Sequence, residues 1–378
     1  MPIRRRDVID SPEWAPGVPG GIGTFSQRPA GALSLTGSSH LERGATRERG
    51  DYADLKRLLA QRGLFSRQPA YYTFQALLVL GLLGATLTLL ILIEPTWLRL
   101  LDAALFAFVS TQLGFLGHDA GHRQIFTSPW RNDVALLFIG VLIGMSRSWW
   151  VESHNRHHNN PNNLGLDPHT AIPALAFSEG EAEKKHGVVR FLVQFQAFYF
   201  FPLLLLQGVG TRIASVQFLI GRNARYRGAE VLGMGLHFLL YFGLLFSVMN
   251  LWQASLFILV HQGLMGLYMG SVFAPNHKGM LVLEPNNRLD FLRRQVLTTR
   301  NVRPHPLTDF FLGGLNYQIE HHLFPRMPRN KLKEARQVVK AFFQERSIPY
   351  HETGLLQSYS EVTRYLHQVT RTLRTARR

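Results

Sequence analysis

Histidine is the residue type on which any chemistry in this chain must turn. The sequence holds 16 histidines and no cysteine. His118 and His122 bracket the word HDAGH; His154, His157 and His158 belong to HNRHH; His321 and His322 close QIEHH. In the third word Gln318 takes the place that His154 holds in the second. Separations of three and four residues bring side chains to one face of a helix. Neutral imidazole suits iron, zinc and copper. These seven histidines are too many for one tetrahedral zinc, which takes four ligands, so two metal ions are the economical reading. Without cysteine, disulfides, iron–sulfur ligation and a cysteine-ligated haem are excluded, and the metals must rest on nitrogen and oxygen.

A single histidine pair at helical spacing is usually structural. Three interrupted clusters, each beside an apolar segment, point instead to a metal centre. Other motifs fail. His351-Glu352 is followed by Thr-Gly-Leu, so no HExxH zinc motif forms there, and Glu183 to His186 lies in the charged stretch EGEAEKKH, which reads as a solvated face. GGIG at Gly20 to Gly23 is turn-like rather than a nucleotide fingerprint.

The clusters need elements to carry them. The formal charge is +16 and the pI about 10.5, with much of the basic charge at the two ends of the chain, flanking long apolar stretches. That pattern suits a membrane protein with cytoplasmic basic segments and argues against a nucleic-acid partner. Residues 1–50 are rich in Gly, Pro, Ser and Arg and are expected to be disordered. Arg4 to Arg6 are followed by no apolar region, so a cleaved signal peptide is not expected. Asp51 to Arg67 reads as an amphipathic helix leading to the membrane. Tyr71–Ile93 and Leu98–Gly117 each approach the roughly 20 apolar residues that a span requires and form a first hairpin; Arg99 and Asp102 sit near its outer end. Val134–Met145 is too short to cross comfortably and is expected to be re-entrant or interfacial. Arg190–Gly210 is interrupted by Gln194, Gln196, Pro202 and Gln207. Val231–Met249 and Leu251–Phe273 form a second hairpin, with His237 and His261 inside the spans as weaker metal candidates. The expected fold is therefore all-α and multi-pass: two transmembrane hairpins, about four spans, interfacial helices and a cytoplasmic histidine-rich cap. The expected domains are a disordered segment 1–50, a membrane domain 51–350 bearing the cap, and a basic C-terminal tail 351–378.

The words GHDAGHRQIF, HNRHHNNPNN and NYQIEHHLFPRMPR resemble, in order, spacing and placement against the hairpins, the three histidine boxes of the membrane fatty acid desaturase family. The resemblance runs from about Gln68 to Tyr350. The Gln-first third box is similar to that of the subgroup that includes front-end desaturases and bacterial acyl-CoA desaturases. Many front-end members carry a fused haem domain of the b-type cytochrome kind, whereas no His-Pro-Gly-Gly word occurs here. The resemblance implies a di-iron centre held by the three boxes. It also implies a further ligand from an isolated histidine after the last span, the place where His277 stands in APNHKG. Metal-bound histidines commonly donate their other nitrogen to a carboxylate or carbonyl, which makes Asp119, Asp167, His169 and Glu320 candidate supports. Gln318 is expected to bind one iron weakly through its oxygen or to hold a bound water.

On this reading the substrate is a fatty acyl-CoA or an acyl lipid, O2 is the co-substrate, and membrane lipid surrounds the spans. Electrons are expected from a separate donor, a ferredoxin-like or b-type cytochrome carrier with its reductase, because no flavin, haem or iron–sulfur motif is seen. Both termini and the histidine clusters are expected on the cytoplasmic side. Two alternatives remain open at this point: a lipid hydroxylase on the same metal scaffold, and a non-catalytic membrane transporter of metal or haem. The transporter would want polar ligands inside the spans near the midplane.

Overall fold

The computed structural model describes residues 38–221 and 224–375. Residues 1–45 and 46–378 are separate units, and the described part of the first is the start of helix α1 (Ser38–Gln61). The expected disordered segment 1–50 lies outside the described residues as far as residue 37, and the chain is helical from Ser38. The predicted amphipathic helix is the second half of α1; Leu55 and Leu59, with Leu64 just beyond it, are fully buried.

Helix α2 (Pro69–Leu92) and helix α3 (Thr96–Gly121) make the first hairpin. Pro69 starts α2, where a missing N–H costs nothing. Helices α4 (Pro129–Ile143) and α5 (Arg147–Asn159) meet at 109°, as expected of a segment that turns back. Gly144 makes that corner: it ends α4 with φ +69°, and a Cβ there would come within 2.6 Å of the His237 ring. Short helices follow: α6 (Glu179–Glu183), α7 (Gly187–Val193), α8 (Gln196–Leu204) and α9 (Gln207–Ile220), with a 95° bend between α7 and α8. The second hairpin is α10 (Arg227–Val248) and α11 (Leu251–His277). A capping box of Asn250 and Gln253 starts α11. Beyond it come α12 (Phe291–Leu297), β1 (Asn301–Val302), α13 (Pro306–Phe311), α14 (Gln318–Leu323), α15 (Leu332–Glu345), β2 (Glu352–Thr353), α16 (Leu355–Val369) and α17 (Arg371–Thr375).

Helices α2, α3, α10 and α11 are the four described single helices long and apolar enough to cross a bilayer, and the protein is an all-α, multi-pass integral membrane protein. Phe74, Leu77, Leu92, Leu239 and Trp252 are 62–72% exposed, a belt of large apolar side chains that only lipid can cover. The two hairpin turns are tied together where they would emerge: Arg99 donates to Gln253 Oε1 at 3.1 Å and Gln253 donates to Thr96 Oγ1 at 2.9 Å. Core cohesion between the hairpins comes from α3 against α11, with Phe106, Ala103 and Phe257 buried in one cluster.

The segment expected as a basic C-terminal tail is packed. β2 pairs in parallel with β1, and α16 buries Val362 and Leu366 against Phe200, Leu204 and Ala274. The chain after the last span thus folds back over the ends of α3 and α11.

The C-terminal ends of α3 and α11 meet, so they must lie on one side of the membrane. Residues 122–227 therefore make no net crossing. With no native cysteine, single cysteines placed at the exposed positions Glu152 and Asn330 should react with an impermeant thiol reagent from one side. Cysteines at Glu94 and Asn250, in the hairpin turns, should react from the other. Reaction of Glu152→Cys and Asn250→Cys from the same side would refute this topology.

Candidate metal centre

Four elements deliver the histidines and a fifth supports them. α3 carries His118 at its end and His122 as its C-cap; α5 carries His154, His157 and His158; α11 ends on His277; α14 carries His321 and His322. All eight are buried. The fifth element, α12, supplies no histidine but holds two of them through Gln295.

The histidines divide into two sets. His122 Nε2 lies 2.8 Å from His154 Nε2, which lies 3.1 Å from His158 Nε2, which lies 3.2 Å from His321 Nε2. The His118 ring is 4.7 Å from that of His321, and one nitrogen each of His118, His122, His154 and His321 falls within 4.8 Å of the others. In the second set His157 Nε2 lies 3.2 Å from His277 Nε2, and the His322 ring is 4.7 Å from that of His277. The sets touch where His158 and His322 stack, with ring centroids 4.2 Å apart. Neighbours in sequence are thus separated: His157 and His158 serve different sets, as do His321 and His322. Successive residues on a helix project about 100° apart, so HH doublets face two ways.

The nitrogens turned away from the cluster are anchored. His157 Nδ1–H donates to Asp167 at 2.9 Å, His277 Nδ1–H to the Thr298 carbonyl at 3.2 Å and His322 Nδ1–H to Gln295 Oε1 at 2.9 Å. His118 Nδ1 lies 3.4 Å from Asp119, which Arg329 pairs at 2.8 Å. These anchors fix the tautomer and leave the other nitrogen with its lone pair toward the cluster. Nε2 of His118 and of His322 is buried without a hydrogen-bond partner, as expected of atoms that a cation satisfies. Burial, followed by the neighbouring imidazoles, holds His122, His154, His158, His321 and His322 well below the ordinary histidine range, so they are neutral and able to bind metal. The donor set fits two nitrogen-ligated transition-metal ions, the first among His118, His122, His154, His158 and His321, the second among His157, His277 and His322.

The remaining candidates have defined places. Asp167 accepts from His157, from the Asn162 N–H at 2.8 Å and from the His169 N–H at 2.9 Å. Burial alone would raise its pKa, but His157, His169 and Lys278 pull it well below the carboxylate range. His169 is exposed, with its ring 4.4 Å from that of His157. His157, Asp167 and His169 could also group around an ion, but Asp167 engages His157 through Nδ1, the nitrogen opposite the cluster, so the group acts as a support. The Glu320 carboxylate bonds elsewhere than to the histidines: its oxygens accept from Asn301 at 2.7 Å and from Tyr350 at 2.8 Å, which pins α14. Gln318 Nε2 lies 2.9 Å from His277 Nε2, and its oxygen accepts from Asn276 at 3.2 Å. His237 donates to the Val141 carbonyl at 2.9 Å, and His261 lies between Ser110 and Tyr241 at 3.1 and 2.7 Å, so neither enters the two sets.

Several supports were missed from sequence: Asn162, Gln295, Thr298, Arg329 and Glu230. Glu230 of α10 accepts from the Ser146 and Ser148 hydroxyls at 2.5 Å each and from the Ser148 N–H at 3.0 Å, a carboxylate set at the start of the helix that carries HNRHH. Asn162 donates to the His277 carbonyl at 2.8 Å. The Asn-Asn-Pro-Asn-Asn run after HNRHH was the available signal for it. Trp150 stacks on His154 at 4.4 Å, and only glycine fits at 121, where a Cβ would lie 2.0 Å from the Trp150 ring.

Beside both sets lies a cavity of about 270 Å³ lined by Trp149, Trp150, Phe200, Leu204, Met269 and Phe273, and it reaches His154, His157, His277 and Gln318. The histidine nitrogens of the two sets sit toward helix ends above the apolar hairpins, not at mid-span.

Residues 95–354 match the fatty acid desaturase family. The chain is 32% identical over 330 residues to the Delta(6)-fatty-acid desaturase of Caenorhabditis elegans, covering 82% of this chain and 72% of that protein. It is 31% identical over 328 residues to a Delta(8)-fatty-acid desaturase of Euglena gracilis, covering 84% and 78% respectively. An acyl-lipid (9-3)-desaturase of Physcomitrium patens is 27% identical over 332 residues, and the chain spans 62% of that protein's length.

The depressed imidazoles set a pH dependence. The unfolded chain titrates its histidines near pH 6.5, above the folded values, so it binds protons first as pH falls. The stability this represents is fully present above about pH 6.5 and is lost below it. The melting temperature of the metal-free protein should therefore fall between about pH 7.5 and about pH 5.5. An unchanged or rising value would contradict burial of neutral imidazoles.

Proposed function

The chain belongs to the fatty acid desaturase family of enzymes, and from that premise we propose that it is a di-iron desaturase that inserts a double bond into a fatty acyl chain of an acyl-CoA or acyl lipid. The observation that carries the proposal is the contact between the apolar cavity and both histidine sets. Its substrate, co-substrate and electron donor follow from the chemistry. Methylene groups offer no acidic proton and no polar handle, so acid–base side chains cannot open them. A pair of irons, when bound, supplies oxygen activation strong enough to take hydrogen from such carbons. Electrons come from a separate reduced carrier, a ferredoxin-like or b-type cytochrome protein with its reductase, and O2 is the acceptor.

The chain's own residues hold and protect. Trp149, Trp150, Phe200, Leu204 and Phe273 give the acyl chain an apolar channel and keep water from it. The channel wall includes His154 of the first set and His157 and His277 of the second, so an acyl chain lying in it would pass both sets. Lys278 stands at the same cavity, its ammonium 3.9 Å from the Phe177 ring and donating to the His169 carbonyl at 3.0 Å; burial lowers its pKa to about 8. It suits the polar carbonyl or phosphate end of the substrate. We place the histidine centre and both termini on the cytoplasmic side, on the strength of the basic ends of the chain.

An acyl substrate deuterated at two neighbouring carbons tests the reaction. Supplied with reductase and carrier, the enzyme should remove one deuterium from each carbon and add no oxygen, and His157→Ala or His321→Ala should abolish the product. A predominantly hydroxylated product would assign the chain to the lipid hydroxylases instead.

A further inference from the structure

Arg300 is the largest fully buried side chain among the described residues, and the three backbone carbonyls it bonds flank a single histidine of the second set. Its Nε donates to the Pro275 carbonyl at 2.7 Å, its Nη2 to the Lys278 carbonyl at 2.9 Å, and its backbone N–H to the Asn276 carbonyl at 2.8 Å. Pro275 and Asn276 precede His277, and Lys278 follows it. The remaining arm, Nη1, pairs with Glu361 of α16, whose Oε2 also lies 3.1 Å from His351 Nε2.

We propose that Arg300 and Glu361 form a latch that positions His277, so that the C-terminal helix sets the geometry of the second metal-binding set. The inference rests on the two-metal reading above. A helix ends with carbonyls that have no partner within it, and α11 ends on His277. Arg300 takes the carbonyls around that end from outside the helix. A cation there also complements the negative end of the helix dipole. The planar fork of the guanidinium satisfies two carbonyls and a carboxylate at fixed angles, which an ammonium cannot reproduce. The turn just before Arg300 fixes the ring: the Thr298 carbonyl, at the end of α12, accepts from His277 Nδ1. Without the latch the Pro275 and Lys278 carbonyls lose the guanidinium, and His277 Nε2 is no longer held 3.2 Å from His157 Nε2. The first set has no member on α11 and keeps its own supports.

Arg300 is thus a positioning residue, and metal binding reads its role more directly than turnover does. The experiment compares wild type, His277→Ala, Arg300→Met, Arg300→Lys and Glu361→Gln as purified full-length chains stripped of metal and titrated with ferrous iron. Iron per chain, the electron paramagnetic resonance spectrum of the oxidised form and the melting temperature are recorded. Wild type should bind two irons. Arg300→Met should follow His277→Ala: the second iron binds about tenfold or more weakly, as for lost supports of metal ligands, while the first is unchanged and the ferric signal changes as it does in His277→Ala. Arg300→Lys and Glu361→Gln should fall between, and they decide the matter if Arg300→Met does not fold. Two irons bound with wild-type affinity in all three latch variants would overturn the latch, as would equal weakening of both sites in step with a lower melting temperature. A wild-type chain that binds one iron would instead overturn the two-metal reading.

Discussion

Imidazole nitrogens approach one another to 2.8–3.2 Å at the heart of this protein, in one pair within α5 and in pairs that join α5 to α3, α11 and α14. Two lone pairs facing each other at that distance repel, and a buried proton shared among several rings is opposed by desolvation and by neighbouring charge. A divalent cation resolves the conflict, since it takes lone pairs from all sides. Every other feature of the cap can be understood as the means of holding neutral rings where they would not otherwise stay. Carboxylate, amide and carbonyl acceptors occupy the outward nitrogens of His157, His277 and His322. The helices that bear the rings are themselves held, by Glu230 at the start of α5, by Asn301 and Tyr350 around Glu320 on α14, and by Asn162 at the end of α11.

The membrane hairpins serve that arrangement. α3 and α11 pack along their lengths and finish together, so that His118, His122 and His277 meet at one level. The corner between α4 and α5 returns the chain to the same level without a net crossing. The cavity then runs between apolar helices and ends under the two sets. An acyl chain, which membrane lipid already contains, needs no polar guide to enter such a space.

Much of this was legible in the sequence. HDAGH, HNRHH and QIEHH pointed to buried histidine groups able to hold metal, and the spans were readable from length and apolarity alone. The finer partition was not. Spacings of three and four suggest one shared face, yet His154 and His158 join the first set while His157 joins the second. The supports escaped because they are long-range: Gln295 meets His322 across 27 residues and Asn162 meets the His277 carbonyl across 115. Glu320, adjacent to the ligands in sequence, turns away to Asn301 and Tyr350, since neighbouring residues on a helix face different directions. The terminal segment read as a basic tail because its charges are plain in the sequence, whereas the burial of Val362 and Leu366 depends on α8 and α11.

Anomalous X-ray scattering at the iron edge from the purified, iron-loaded enzyme tests the central claim most directly. The account predicts two peaks, one enclosed by His118, His122, His154, His158 and His321, the other by His157, His277 and His322. A single peak, or one seated on His157, Asp167 and His169 in place of the second set, would contradict it.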